Sequence, residues 1–206
     1  MTTSTPGHHP NHHADHPGFS GVSGLLAGFT MTVGRGAVAR LAVELAGVRG
    51  GDRVVDVGCG PGAAVRAAAR RGATVTGVDP APVMLRLARW LTRGAPSITW
   101  AEGSAESLPL ADDSETVLWS ISTVHHWQDV DAGLGEARRV LGAGGRLLAV
   151  ERRTRPGARG LASHGWTDEQ AAAFAERCRG AGFADVSVET HRPGRTPLLV
   201  VQATAP

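Results

Sequence analysis

The sequence predicts an α/β fold: a seven-stranded, mostly parallel sheet with an antiparallel last strand and helices on both faces. Three observations predict it. Five short apolar runs follow one another from Arg53 onward. Segments of helical period separate all of them except the third and fourth. Parallel neighbours need a crossover, and the crossover helix covers a face, so this alternation calls for a parallel sheet buried on both sides. Two final runs are joined only by the turn Arg192–Gly194, too short for a crossover, so they form a hairpin.

The elements follow in order. Residues 1–17, MTTSTPGHHPNHHADHP, carry five histidines and three prolines without apolar periodicity, the composition of a disordered tail. A helix would align His8, His12 and His16, but the prolines oppose that helix, and no metal site is assigned. A single domain is expected over 18–206, opening with a lid at 18–48 whose first part, Gly18–Gly34, is apolar and glycine-rich. Val38, Leu41, Ala42, Leu45 and Val48 fall at helical spacing, and Gly50-Gly51 end that run. Arg53–Val57 reads as a buried strand and Ala63–Arg71 as a helix closed by Gly72. Thr74–Val78 is the second strand, closed by Asp79-Pro80, and Pro82–Leu91 the next helix. Ser97–Trp100 and Thr116–Ile121 are strands flanking a polar loop. Val130–Leu141 is a helix, and Gly145–Val150 a strand after the turn Gly142–Gly145. The helix Thr167–Ala181 then leads to the hairpin of Val186–Glu189 and Pro197–Gln202.

Bulk properties narrow the function classes. A chain of 206 residues fits one domain, and at that size roughly 70% of the unfolded surface is buried without help from disulfides. The net charge of +2 is too small an excess to argue for nucleic acid or anionic lipid. Gly18–Gly34, the longest uncharged stretch, falls short of the roughly 20 apolar residues a spanning helix needs. No basic segment precedes it as in a signal peptide. Cys59 and Cys178 make no disulfide framework, so a cytoplasmic location is expected.

The loop Gly58-Cys59-Gly60-Pro61-Gly62 joins the first strand to a helix. In this architecture such a loop binds an adenosine-type cofactor, because glycines let backbone amides approach the ligand. Asp79, 17 residues after Gly62, stands where a carboxylate accepts from both ribose hydroxyls. A dinucleotide fingerprint spaces its glycines G-x-G-x-x-G, and here Ala63 takes the third position. That spacing weakens NAD and leaves an NAD-linked oxidoreductase as an alternative.

At this point a resemblance becomes specific. VVDVGCGPG (Val54–Gly62) resembles motif I of the class I S-adenosylmethionine-dependent methyltransferases. GVDPAPVMLRLA, EGSAESLPLADDS and RRVLGAGGRLLAVE (Arg138–Glu151) resemble the following motifs in order, and AGFADVSVE fits the ending. The similarity is greatest to the broad bacterial branch that holds quinone-ring C-methyltransferases and many small-molecule enzymes. It implies a Rossmann-like sheet and S-adenosylmethionine as cofactor, with S-adenosylhomocysteine as product. Asp56 and the backbone of Gly58, Cys59, Gly60 and Gly62 would then hold the methionine end. Asp79 would bind the ribose, Met84 would lie against adenine and Ala105 would offer its amide to the adenine edge. Ser104 and Ser120 complete the cofactor-binding set. Ser104 replaces the family's usual aspartate and accepts without charge, and Glu115-Thr116 stand where Phe-Asp is usual.

The fourth strand leads into Ser120-Ile121-Ser122-Thr123-Val124-His125-His126-Trp127. Amino-methylating nucleic-acid enzymes carry [Asn/Asp/Ser]-Pro-Pro-aromatic at this point, and this chain does not. The expected partner is therefore a small molecule, methylated on oxygen or carbon, with no nucleic acid and no membrane. His125 and His126 are the candidate catalytic residues, since histidine titrates near neutrality. His125 also occupies a position similar to the base of plant small-molecule O-methyltransferases, which carry His-Asp-Trp here. A packing role ahead of the following helix is the plainer reading of both, and Trp127 is expected to pack. Arg152, Arg153, Arg155 and Arg159 follow the fifth strand as a solvated loop or an anion clamp. A non-catalytic cofactor-binding protein is the remaining alternative.

Overall fold

The computed structural model describes residues 36–206. The His-rich tail and the lid segment Gly18–Gly34 lie outside the described residues. Among these residues the elements run α1 (Gly36–Leu45), β1 (Arg53–Val57), α2 (Ala63–Ala69), β2 (Thr74–Asp79), α3 (Pro82–Leu91) and β3 (Ile98–Glu102). There follow β4 (Glu115–Ile121), α4 (Val130–Val140), β5 (Leu141–Arg152), α5 (Asp168–Gly180), β6 (Ala184–His191) and β7 (Leu198–Thr204). Short 3₁₀ turns occupy Val124–His126 and Gly160–Ser163.

The seven strands form one sheet in the order β3-β2-β1-β4-β5-β7-β6. β3 through β5 are mutually parallel, and β7 runs antiparallel between β5 and β6. The side-chain period of two sorts each strand between two cores. Val54, Val117, Trp119, Leu148 and Val200 join α1 and α2 on one face. Val55, Leu118, Leu147, Ala149 and Val201 join α4 and α5 on the other. Both faces are buried, which is why the strands read as continuous apolar runs rather than alternating ones.

Most boundaries shift by a residue or a few from the sequence reading, and two of the shifts have a clear cause. Gly142–Gly145 is not a turn outside the strand: β5 begins at Leu141, which pairs with Glu115, and the register then shifts so that Arg146 pairs with Val117. The glycines form an irregularity within the strand, with Gly144 at φ +74°. β3 runs on to Glu102 because β2 continues to Asp79 beside it. The final hairpin places β7, and not β6, next to β5.

Strand order reverses between β1 and β4, so the loops leaving their carboxyl ends diverge and open a crevice, the place where open α/β sheets bind ligands. The glycine loop, Asp79, the strand-four loop and Glu151 all stand at that edge.

Candidate active site

The three loop glycines have three different neighbours. A Cβ on Gly58 would lie 2.7 Å from Thr123, and one on Gly62 would lie 2.1 Å from the Trp100 ring. A Cβ on Gly60 would meet nothing within 4 Å. All three have positive φ, +73°, +51° and +75°. The loop is therefore packed from below by Trp100 and Thr123 and, among the described residues, open over Gly60. Among the described residues no side chain caps α2, so its leading amides are left to other acceptors.

Asp79 is buried at the end of β2. Its Oδ2 accepts the Gly60 amide at 2.8 Å and its Oδ1 accepts the Ala81 amide at 2.8 Å. Each oxygen keeps a second lone pair for a hydroxyl. Burial raises its pKa above the usual aspartate range despite the two amides. Asp56 is buried at the middle of the sheet, on β1 beside Gly77 and Trp119. Burial, reinforced by the Asp56 and Asp79 carboxylates, holds the Cys59 thiol well above its ordinary pKa, which disfavours the nucleophilic thiolate. Met84 is buried on the first turn of α3 and belongs to neither core cluster among the described residues. Ser104 is half-buried and forms an isolated bridge with Ser107, while Ala105 is buried in the α4–α5 core.

The strand-four loop is tied to the glycine loop by Thr123. Its hydroxyl donates to the Val57 carbonyl at 3.0 Å, so Ser120 donates to Thr123 across 2.5 Å. Ser122 between them holds φ +58°, a left-handed conformation uncommon for serine, and its amide donates to Val150 at 2.7 Å. On the other side Glu106 accepts the amides of Gln128 (2.7 Å) and Asp129 (3.3 Å), fastening the loop after β3 to the loop after β4.

His125 sits in the 3₁₀ turn with its Nδ1 3.0 Å from both oxygens of Glu151. Glu151, near the end of β5, is fully buried, and His125 is 9% exposed. β4 and β5 are paired from Val117 to Ile121 opposite Arg146 to Val150, which delivers Glu151 to the loop that follows Ile121. Against a carboxylate, Nδ1 is the donor, so Nε2 is the ring nitrogen that accepts. His126 is exposed, its ring centroid 4.1 Å from that of His125. His164, from the loop after β5, completes a group of three imidazoles. Trp127 is buried against Gly133 and at 6.3 Å from the Phe174 ring, a packing residue as expected. Arg153 pairs with Asp168 and Arg152 donates to the His164 carbonyl at 3.0 Å, so both serve the loop's own structure.

Sequence reasoning missed Glu151 and His164 as site residues. Glu151 closes a quoted motif but has no partner until the β4–β5 register is known. His164 follows a long irregular loop with no periodic signal.

Residues 55–149 match the family described as "Methyltransferase domain". Over 112 residues the chain is 38% identical to a demethylmenaquinone methyltransferase of Tropheryma whipplei, covering 54% of this chain and 46% of that protein. It is 33% identical over 159 residues to the 27-O-demethylrifamycin SV methyltransferase of Amycolatopsis mediterranei, covering 74% of this chain and 55% of the relative. The chain thus spans about half the length of these curated relatives. In fold it is similar to a solved S-adenosylmethionine-dependent methyltransferase of Aquifex aeolicus. The TM-score is 0.75 at 16% identity, over 88% of this chain and 98% of that one. Residues 55–149 thus form a methyltransferase domain, set in a sheet of the class I S-adenosylmethionine-dependent methyltransferase type.

Proposed function

We propose that the protein transfers a methyl group from S-adenosylmethionine to an oxygen or carbon nucleophile of a small molecule in the cytoplasm, with neither nucleic acid nor a membrane as partner. The observation that carries this reading is the union of two features at one sheet edge. Asp79 and the open loop over Gly60 stand beside the His125–Glu151 pair, and Thr123 joins the two halves. Among the described residues no helix is long and apolar enough to cross a membrane. An oxygen acceptor is named for the Amycolatopsis relative.

The cofactor supplies an activated methyl on a sulfonium. This chain's residues bind, orient and manage protons. Asp79 takes the ribose hydroxyls on its remaining lone pairs, and Asp56 and the Gly58–Gly62 backbone take the amino-acid end. Ser120, whose hydroxyl donates to Thr123, would accept from the ammonium on its remaining lone pairs. Met84 would pack against the adenine, and Ser104 and Ala105 would meet its edge. His125 accepts the acceptor's proton at Nε2 while Glu151 fixes the ring tautomer and steadies the imidazolium, with His126 beside it. Alignment and exclusion of water account for the rest.

The test is a tritium-transfer screen from labelled S-adenosylmethionine against pooled metabolites, run beside calorimetric titration with S-adenosylhomocysteine and with NAD. Binding of S-adenosylhomocysteine with no transfer to any pool supports the non-catalytic alternative, and binding of NAD alone overturns the family assignment of the loop. With an acceptor in hand, His125→Gln keeps a donor for the buried Glu151 and removes the base. It lowers kcat by about 10²–10⁴-fold and leaves S-adenosylhomocysteine affinity unchanged. Unchanged kcat returns His125 to packing.

A further inference from the structure

His125, His126 and His164 come from two loops at the carboxyl edge, and one ligand atom from each lies within 4.8 Å of the others. We propose that these three imidazoles form a binding site for a divalent transition metal of the zinc type, with Glu151 as the outer carboxylate. The inference goes beyond the methyl-transfer reading and does not rest on it.

Geometry favours the site. A tetrahedral zinc with Zn–N of about 2.05 Å puts its ligand nitrogens about 3.3 Å apart and the ring centroids about 5.2 Å apart. The His164 ring is 5.5 Å from His125 and 5.7 Å from His126, within about half an ångström of that requirement. The His125 and His126 rings, at 4.1 Å, have to open by about an ångström. His126 is exposed and His164 half-buried, so χ rotation is available and an ion has a path inward.

The surroundings are those a metal-binding histidine needs. Such a ligand donates its other ring N–H to a carboxylate, which fixes ring orientation and raises its basicity. The Nδ1 contact of His125 with Glu151, at 3.0 Å, is that arrangement, and it assigns Nε2 to the ion. His164 is held by backbone. Its carbonyl accepts from Arg152 at 3.0 Å, and the Trp166 amide donates to the Arg152 carbonyl at 2.9 Å. Gly165 between them has φ +132°, and a Cβ there would lie 2.1 Å from the Arg152 carbonyl oxygen. Only glycine lets the loop close here and present His164 to the other two rings. Three neutral nitrogen ligands suit zinc better than magnesium or calcium, which favour oxygen. A site with three protein ligands keeps a fourth position, open to a water or an acceptor oxygen. In a metal-loaded protein His125 Nε2 would be a ligand, so the general-base role proposed for it belongs to the metal-free form.

The test uses the full chain with His8, His9, His12, His13 and His16 replaced by alanine, so that the tail does not chelate. Equilibrium dialysis against Zn²⁺ is expected to find one ion per chain, and the ion to raise Tm. His164→Ala in that background loses the ion and the Tm shift. Glu151→Gln weakens zinc about 10–100-fold without changing the stoichiometry. Circular dichroism confirms that each variant is folded. No bound zinc in the tail-substituted chain, or undiminished binding by both His126→Ala and His164→Ala, overturns the proposal. Neither outcome bears on cofactor binding, which calorimetry reads separately.

Discussion

Asp79 and Glu115 are both buried carboxylates with raised pKa values, yet they bear on different properties. Asp79 is the residue proposed to hold the ribose. Asp79→Ala removes charge-assisted bonds to the ribose and weakens S-adenosylhomocysteine binding by about 1.5–3 kcal/mol. Asp79→Asn, which retains one acceptor, falls between, and calorimetry on both variants checks the role. Because burial raises its pKa, acidification erodes cofactor affinity at a higher pH than an exposed aspartate would allow. Glu115 bears on stability. Burial pushes it to about 7 from 4.5, against the pull of Arg53 and Ser114. Between those values the folded protein holds a proton that the unfolded chain releases, so this group's contribution to stability is complete below about 4.5 and is lost as pH rises through about 7. Glu115→Gln removes that dependence. Its stability relative to the parent protein is expected to rise across the window by up to about 3 kcal/mol, with the gain complete at pH 8. Denaturant titrations at pH 4 and pH 8 measure it, and an equal difference at both values refutes the burial argument.

Among elements, those governed by local chemistry were legible. β1 and α3 have the bounds read from the sequence, because Gly50-Gly51 and the glycine loop flank the first and Pro82 opens the second. α5 was readable for the same reason, since Thr167 and Gln170 form a reciprocal capping box: the Thr167 hydroxyl accepts the Gln170 amide at 3.3 Å, and the Gln170 side chain accepts the Thr167 amide at 2.8 Å. Thr167→Ala is expected to cost about 1 kcal/mol, read as a lowered Tm. The start of β5 was not legible, because glycines at 142, 144 and 145 signal a turn locally while pairing with Glu115 holds Leu141 in the ladder. The site divides along the same line. The glycine loop, Asp79 and the two adjacent histidines lie within contiguous motifs. Glu151 and His164 reach His125 only through the β4–β5 register and the return of a loop closed at Gly165. Composition carries no trace of either.

At the scale of the molecule, one sheet separates two cores, and all the candidate chemistry lies along its carboxyl edge while the helices supply burial. Arg139 ties α4 to the loop after β3, binding Glu136 and the carbonyls of Leu108 and Leu110, while Glu106 fastens that loop to the one after β4. The order β5-β7-β6 carries a consequence for synthesis. β6 emerges from the ribosome before β7, its one partner among the described residues, and β5 waits with an open flank for the same strand. At about 5–20 residues per second, the turn and β7 take about one to three seconds to follow. During that pause two strand edges stand bare in the nascent chain. The newborn protein is thus most exposed to misassociation just before β7 inserts, and a holdase that shields the β5 flank acts on an interval set by translation speed.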